Sequence, residues 1–304
     1  METLVKLVPL SHDLWVYVAI DVALALLLLL VMKWTNRSRT SVSVSDELGV
    51  KDNFAFGISI AGGMLSLCIV LSSVVGRHVG QGYEEAALGM LMFGFVGILL
   101  VKFGRFAHDK IVLDAVDTQH KISDRSVSVA LVDASSVVAS AIILRSMMEW
   151  VNGSDVNAII AIVTGFLVVL TILLIMTRIY EIRYALQNQN HSFQSALETG
   201  QLALAVQHAG NLLGVALVVS SAGGLLEYNP EGYVSNITGW LVTSVALALL
   251  LWILVAFSKK MLLSGMNYQQ EVDQQHNVGV AAVELTLSIG MALIVSGVLN
   301  SSAG

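Results

Sequence analysis

Apolar runs alternate with shorter polar stretches along the whole chain, and eight of the runs are long enough to span a bilayer as helices. A helix needs about 20 predominantly apolar residues to cross the hydrocarbon. The pattern predicts odd-numbered spans at 14–32, 86–101, 157–177 and 233–257, and even-numbered spans at 53–76, 126–148, 201–223 and 277–300. The only prolines, Pro9 and Pro230, fall outside these runs, so no span is expected to be kinked by proline. The expected fold is all-α, a polytopic membrane protein of eight transmembrane helices.

The even spans read as one helix written four times. Aligned without gaps, they place Ile60, Asp133, His208 and Glu284 in one column. Small residues fill three others: Gly57, Ala130, Ala205 and Ala281; Gly62, Ser135, Gly210 and Thr286; Ser66, Ala139, Gly214 and Gly290. Among the odd spans, the Val-Ala-Leu-Ala-Leu-Leu-Leu run of residues 22–28 returns at 245–251. The period is therefore a helix pair, giving units 1–76, 77–148, 149–226 and 227–304, all crossing in the same direction. Parallel repeats of this kind relate by an axis along the membrane normal. Helices in lipid associate through close packing, which small residues permit. The even helices are expected to face protein, with their small residues packing or lining a conduit. The odd helices are expected to face lipid, with Trp15, Trp240 and Trp252 as interface anchors.

Composition agrees with this class. The 304 residues are 56% hydrophobic and 12% charged, against about a quarter charged in soluble domains. The net charge of -6 gives no reason to expect a nucleic-acid partner. Lysine and arginine set the orientation: thirteen lie in or beside the loops after odd spans, and only Lys6, Arg77 and Arg145 on the other side. Those basic loops are expected in the cytoplasm of a bacterial inner membrane, with both termini outside and no cleavable signal peptide. At about twenty residues each, they are expected to form short amphipathic segments at the membrane surface.

Ionisable groups inside a membrane are costly and are functional candidates by default. Asp133, His208 and Glu284 lie seven residues into their predicted spans, about 10 Å deep at 1.5 Å per residue. Gln207 and Asn211 give the sixth span a polar stripe with His208, and Ser136, Ser140 and Ser288 extend polar faces on its neighbours. Around a common axis these groups can meet. Three uses are open to them: a satisfied packing network, a proton or ion pathway, or a bound metal. Asp21 and Arg145, both near the outer ends of their spans, are matched by depth as a second intramembrane pair.

No P-loop, H-E-x-x-H, G-x-S-x-G or CxxC motif is present, and neither a cofactor nor catalysis is expected. His108, His120, His191 and His276 read as solvated loop residues, and Cys68, the single cysteine, as a buried small hydrophobe. The segment Ala-Leu-Glu-Thr-Gly-Gln-Leu-Ala-Leu-Ala at 196–205, with Gly-Asn-Leu-Leu-Gly-Val-Ala-Leu at 210–217, resembles the signature of the domain of unknown function 350 family. Asp52-Asn53-Phe54-Ala55 with Gly62-Gly63, and His276-Asn277-Val278-Gly279 with Gly290, match less fully; Ser126-Val127-Ser128-Val129 lacks the asparagine and the glycine pair. The resemblance implies a multipass bacterial inner-membrane protein with envelope-stress and ATP-grasp ligase neighbours, and brings no biochemical activity. Two functions are weighed on this basis. One is a proton or small-ion conduit or transporter using the buried acids and histidine. The other is a non-transporting scaffold that recruits a soluble cytoplasmic partner through its loops. Beyond the lipid bilayer, a second copy of the chain is the remaining expected partner.

Overall fold

The computed structural model describes residues 13–40, 43–189 and 191–302. Eight helices in it are long and apolar enough to cross a membrane, and no strand occurs among the described residues. The odd spans are α1 (Leu14–Thr40), α3 (Tyr83–Ile111), α6 (Val156–Gln187) and α9 (Tyr233–Leu262). The even spans are α2 (Phe54–Ser72), α5 (Val127–Trp150), α8 (Leu202–Ser220) and α11 (Val278–Ser302). Short helices precede the last three even spans: α4 (Thr118–Ser123), α7 (Phe193–Glu198) and α10 (Tyr268–Asp273). A π turn at Asp46–Val50 takes that place before α2. These are the short segments expected at the membrane surface on the basic-loop side.

Each odd helix runs past the end of its apolar stretch. α3 continues ten residues beyond Val101, and α6 ten beyond Thr177. Hydropathy falls before the helix stops, because long basic side chains keep their stems on apolar surface while their heads reach water. The extension carries His108 into the protein, where it is 1% exposed rather than solvated. His120, His191 and His276 are exposed as expected.

The even helices stand in a row, α2 against α5, α5 against α8 and α8 against α11. The odd helices form a second row, α1 against α3, α3 against α6 and α6 against α9. α5 and α8, in the middle, are the most deeply buried spans, whereas α1 and α11 are largely uncovered. α2 and α11 are the ends of the row and share no packed seam among the described residues. The arrangement is therefore an open two-layer slab. Four small-residue faces do not close around an axis, because each even helix uses one face for the helix before it and another for the helix after it.

Small residues bring the even helices close. A Cβ at Gly62 would stand 2.6 Å from Ala134 Cβ, and one at Gly210 would stand 2.4 Å from Leu285 Cα. Trp240 is not an interface anchor: it is fully buried, edge-on to Trp150 with ring centroids 5.3 Å apart. Trp15 and Trp252 are exposed as anchors would be. Cys68 is exposed on α2 rather than buried.

Each short segment joins its even helix through a single residue of positive φ: Asp52 (50°), Arg125 (67°), Gly200 (89°) and His276 (54°). These are the four residues immediately before the aligned helix starts. A non-glycine residue there is uncommon and is held in place by its surroundings. At the first joint the clamp is visible. Asn53 Oδ1 accepts from Phe56 N, while its Nδ2 donates to Glu47 Oε2 and to the Ile122 carbonyl. Asn277 repeats the first two bonds, to Val280 N and Glu271 Oε2.

Hydrogen bonds from Lys51 and Asn53 hold the Glu47 carboxyl below the ordinary glutamate range. A depressed carboxylate contributes stability that is complete above its unfolded pKa and is lost as the pH falls through the folded one. Acidification below the ordinary value of 4.5 is therefore expected to loosen the first turn of α2. The protection of the residue 54–58 amides against hydrogen exchange, relative to the intrinsic rate at each pH, should fall in the wild type at low pH, and Glu47→Gln should show the lowered protection at all pH values. Parallel pH profiles for the two proteins would contradict this.

Candidate functional site

Asp133, His208 and Glu284 occupy the same depth but not the same place. Asp133 points across the α2–α5 seam, and Glu284 across the α8–α11 seam. His208 faces α3 and α7. An open row separates what a closed ring would have joined.

Asp133 is 0% exposed. Its Oδ2 accepts from Arg105 Nη2 on α3 and from Ser59 Oγ on α2, each at 2.6 Å. Arg105 Nη2 also reaches Ser59 Oγ at 2.9 Å, so the three groups close on one another. Ser136 and Ser140 spend their hydroxyls on carbonyls of their own helix, those of Asp133 and Ser136. They do not extend the polar site.

Glu284 is 2% exposed. Its Oε2 accepts from Lys259 Nζ on α9 at 2.8 Å and from Gln207 Nε2 on α8. Ser59 and Gln207 hold equivalent positions in their repeats, one residue before Ile60 and His208. The α2–α5 and α8–α11 seams thus share one plan: an acid on the second even helix, a neutral donor on the first, and a cation from the intervening odd helix. Arg105 and Lys259 complete the pairs, and the loop-charge count had assigned both to the basic side. A basic residue near the end of a span, within reach of an aligned acid, was the available signal.

The two pairs differ chemically. A guanidinium is planar, always charged and fixed by several bonds, whereas an ammonium is a compact charge on a flexible stem. Lys259 touches Glu284 and lies 5.7 Å from the centre of the Tyr268 ring. It also borders a cavity of about 90 Å³ whose lining includes Glu284, Gln207, His208, Asn211 and Asp273. Glu284 Oε1 is buried and has no hydrogen-bond partner among the described residues, and the same holds for Asp133 Oδ1, so the cavity and not the free oxygen sets the two acids apart. Asn211 Oδ1 accepts a long bond, 3.5 Å, from Ser288 Oγ. On the basic-loop side of the cavity, burial raises the Asp273 carboxyl above the ordinary range, opposed by the hydrogen bond from Asn188 Nδ2 at 2.8 Å.

His208 is 2% exposed, with its ring 4.7 Å from Phe193 and 6.2 Å from His108, centroid to centroid. Neither nitrogen of His108 nor Nε2 of His208 has a hydrogen-bond partner among the described residues. His108 is the site residue that hydropathy concealed. Among the described residues no group of three or more His, Cys, Asp and Glu side chains comes together to hold a metal.

Asp21 and Arg145 do not pair. Asp21 is 7% exposed, and its Oδ2 accepts from the Gly76 amide at 3.3 Å. Arg145 bonds Glu149 one turn further along α5, at 2.7 Å, with both side chains nearly half exposed. Similar depth did not bring them together because α1 and α5 lie in different layers and α3 packs against both.

No curated protein and no solved structure matches this chain. A family model does, twice, at residues 9–148 and 154–299, so that each match holds one acid–cation seam. The duplicated seam and the duplicated match cover nearly the whole chain, which belongs to the family described as Domain of Unknown Function (DUF350).

Proposed function

We propose that this integral membrane protein moves a proton or a small monovalent cation, and that Glu284 is the group that binds it. The observation that carries this reading is the contrast between two seams of the same plan. Asp133 is locked to an arginine that also engages Ser59, an arrangement suited to packing. Glu284 is paired with a lysine, and both line a cavity that Asp133 and Arg105 do not reach. Lys259 then serves as a tethered counter-ion. When it swings away, a proton or cation takes its place on the carboxylate, and buried Glu284 is never left as an uncompensated charge. His208, on the same cavity wall, is placed to accept or pass the proton. The positive-inside bias orients the cavity mouth toward the cytoplasm of a bacterial inner membrane, with both termini outside.

The test is flux through purified protein in liposomes, driven by a pH step or a cation gradient. Wild type is expected to conduct, Glu284→Gln to abolish the flux, and Asp133→Asn to retain it in whatever fraction folds. Absence of flux in the wild type, or equal flux in Glu284→Gln, would sink the proposal. That result would leave the scaffold reading, with the short helices on the basic side recruiting a soluble partner.

A further inference from the structure

We propose that the open row continues into a second copy of the chain, with α11 of one molecule packing against α2 of the next. The argument rests on a contact that this molecule already makes three times. In each seam the leading face of one even helix meets the trailing face of the following one. On the leading face, Ser59, Gly62 and Ser66 of α2 repeat as Gln207, Gly210 and Gly214 of α8. On the trailing face, Asp133, Ala134 and Val137 of α5 repeat as Glu284, Leu285 and Ser288 of α11. The contacts repeat as well: Ser59 donates to Asp133 and Gln207 to Glu284, Gly62 abuts Ala134, and Gly210 abuts Leu285.

A heterologous contact repeated three times leaves one face over at each end. The trailing face is buried on α5, α8 and α11 and open on α2. Ala141, Ala216 and Ala292 are all 0% exposed, yet Cys68 in the same column is exposed. Likewise Val137, Leu212 and Ser288 are buried while Met64 is 37% exposed. The leading face shows the opposite end. Ser135 is buried, as are Gly62 and Gly210, whereas Thr286 is exposed, and a Cβ added at Gly290 would meet nothing within 4 Å.

The two free faces match by the rule of the internal seams. Transferring the register sets Val283 opposite Ile60, Thr286 opposite Ala61, and Gly290 opposite Met64. The small residue at 290 receives the long one at 64, as Gly214 receives Ser288. The match also accounts for the one apolar member of the ionisable column. Where Ser59 and Gln207 donate to acids within the chain, Val283 faces Ile60 between chains, so no buried charge is left without its donor. Both faces lie in the membrane, where association depends on close packing of small residues rather than on hydrophobicity. A head-to-tail contact of this kind builds a ring if its rotation closes and an open array if it does not.

Single-cysteine variants Met64→Cys and Gly290→Cys, each in a Cys68→Ser background and carrying different tags, test the contact by oxidation in membranes. A disulfide is expected when the two are co-expressed and not with either alone. Gly290→Leu should fold, since its Cβ has open space, and should run as a monomer in mild detergent where the wild type is a multimer. Cross-linking of either variant with itself would indicate a twofold contact and overturn the proposal. So would absence of the mixed disulfide, or a monomeric wild type.

Discussion

Gly210→Leu is expected to give no folded protein, and Gly210→Ala a protein with a clearly lowered melting temperature. In an isolated helix Gly→Ala stabilises by about 1 kcal/mol, so the sign of the effect decides whether packing governs. The first side-chain carbon at 210 would sit 2.4 Å from Leu285 Cα, 2.9 Å from its Cβ and 3.1 Å from its Cγ. A backbone atom cannot step aside as the tip of a side chain can. The α8–α11 seam must open along its length, loosening the Gly214–Ser288 contact and the Gln207–Glu284 bond. Overpacking of this kind costs about 1–3 kcal/mol for small insertions and more for large ones. Gly62→Ala should behave alike at the α2–α5 seam, where its Cβ would meet Ala134 at 2.6 Å. Thermal unfolding in detergent, followed by size-exclusion monodispersity, measures both variants. A melting temperature for Gly210→Ala at or above the wild-type value would show that close approach does not hold the row together.

Arg105→Met is expected to destabilise by about 3–5 kcal/mol, the cost of stranding a buried charge. Asp133 would keep only Ser59 as a donor while remaining wholly buried. Asp133→Asn combined with Arg105→Met should recover most of that loss, because a neutral amide no longer needs the cation. Lys259→Met should cost less at its own seam, since Glu284 borders a cavity and retains Gln207. Chemical or thermal unfolding of wild type, Arg105→Met, Asp133→Asn and the double variant forms a double-mutant cycle, with Lys259→Met measured beside them. Equal destabilisation by Arg105→Met and Lys259→Met, with no rescue by the double variant, would remove the distinction between a locked pair and an exchangeable one.

Much of the fold was legible in residue order. Hydropathy located all eight spans, and gapless alignment found the even-helix columns. Helix ends were not legible on the odd spans, because amphipathic extensions such as residues 102–111 look like loop to a hydropathy window; His108 was misplaced for that reason. The individual acids were legible as buried polar groups, but their partners were not. Arg105 and Lys259 stand out only as basic residues near span ends, and Ser59 carries no distinguishing pattern until the helices are set side by side. Depth alone failed for Asp21 and Arg145, since two residues at similar height can lie in different layers. Aligned columns imply equal depth, and equal depth in an open row implies separation rather than convergence.

The positive-φ joints have a mechanical consequence. Four residues, Gln274 to Asn277, lie between the end of α10 and the first turn of α11, among them the positive-φ His276 and the helix cap Asn277, and Glu284 follows two turns later. A long flexible loop would absorb a push at the membrane surface; a clamped four-residue joint has little slack with which to do so. Displacement of α10, which carries Tyr268 beside Lys259 and Asp273 at the cavity, is therefore delivered as tilt or rotation to the helix that bears the buried acid. The surface helix acts as a short lever arm whose fulcrum is a single left-handed residue.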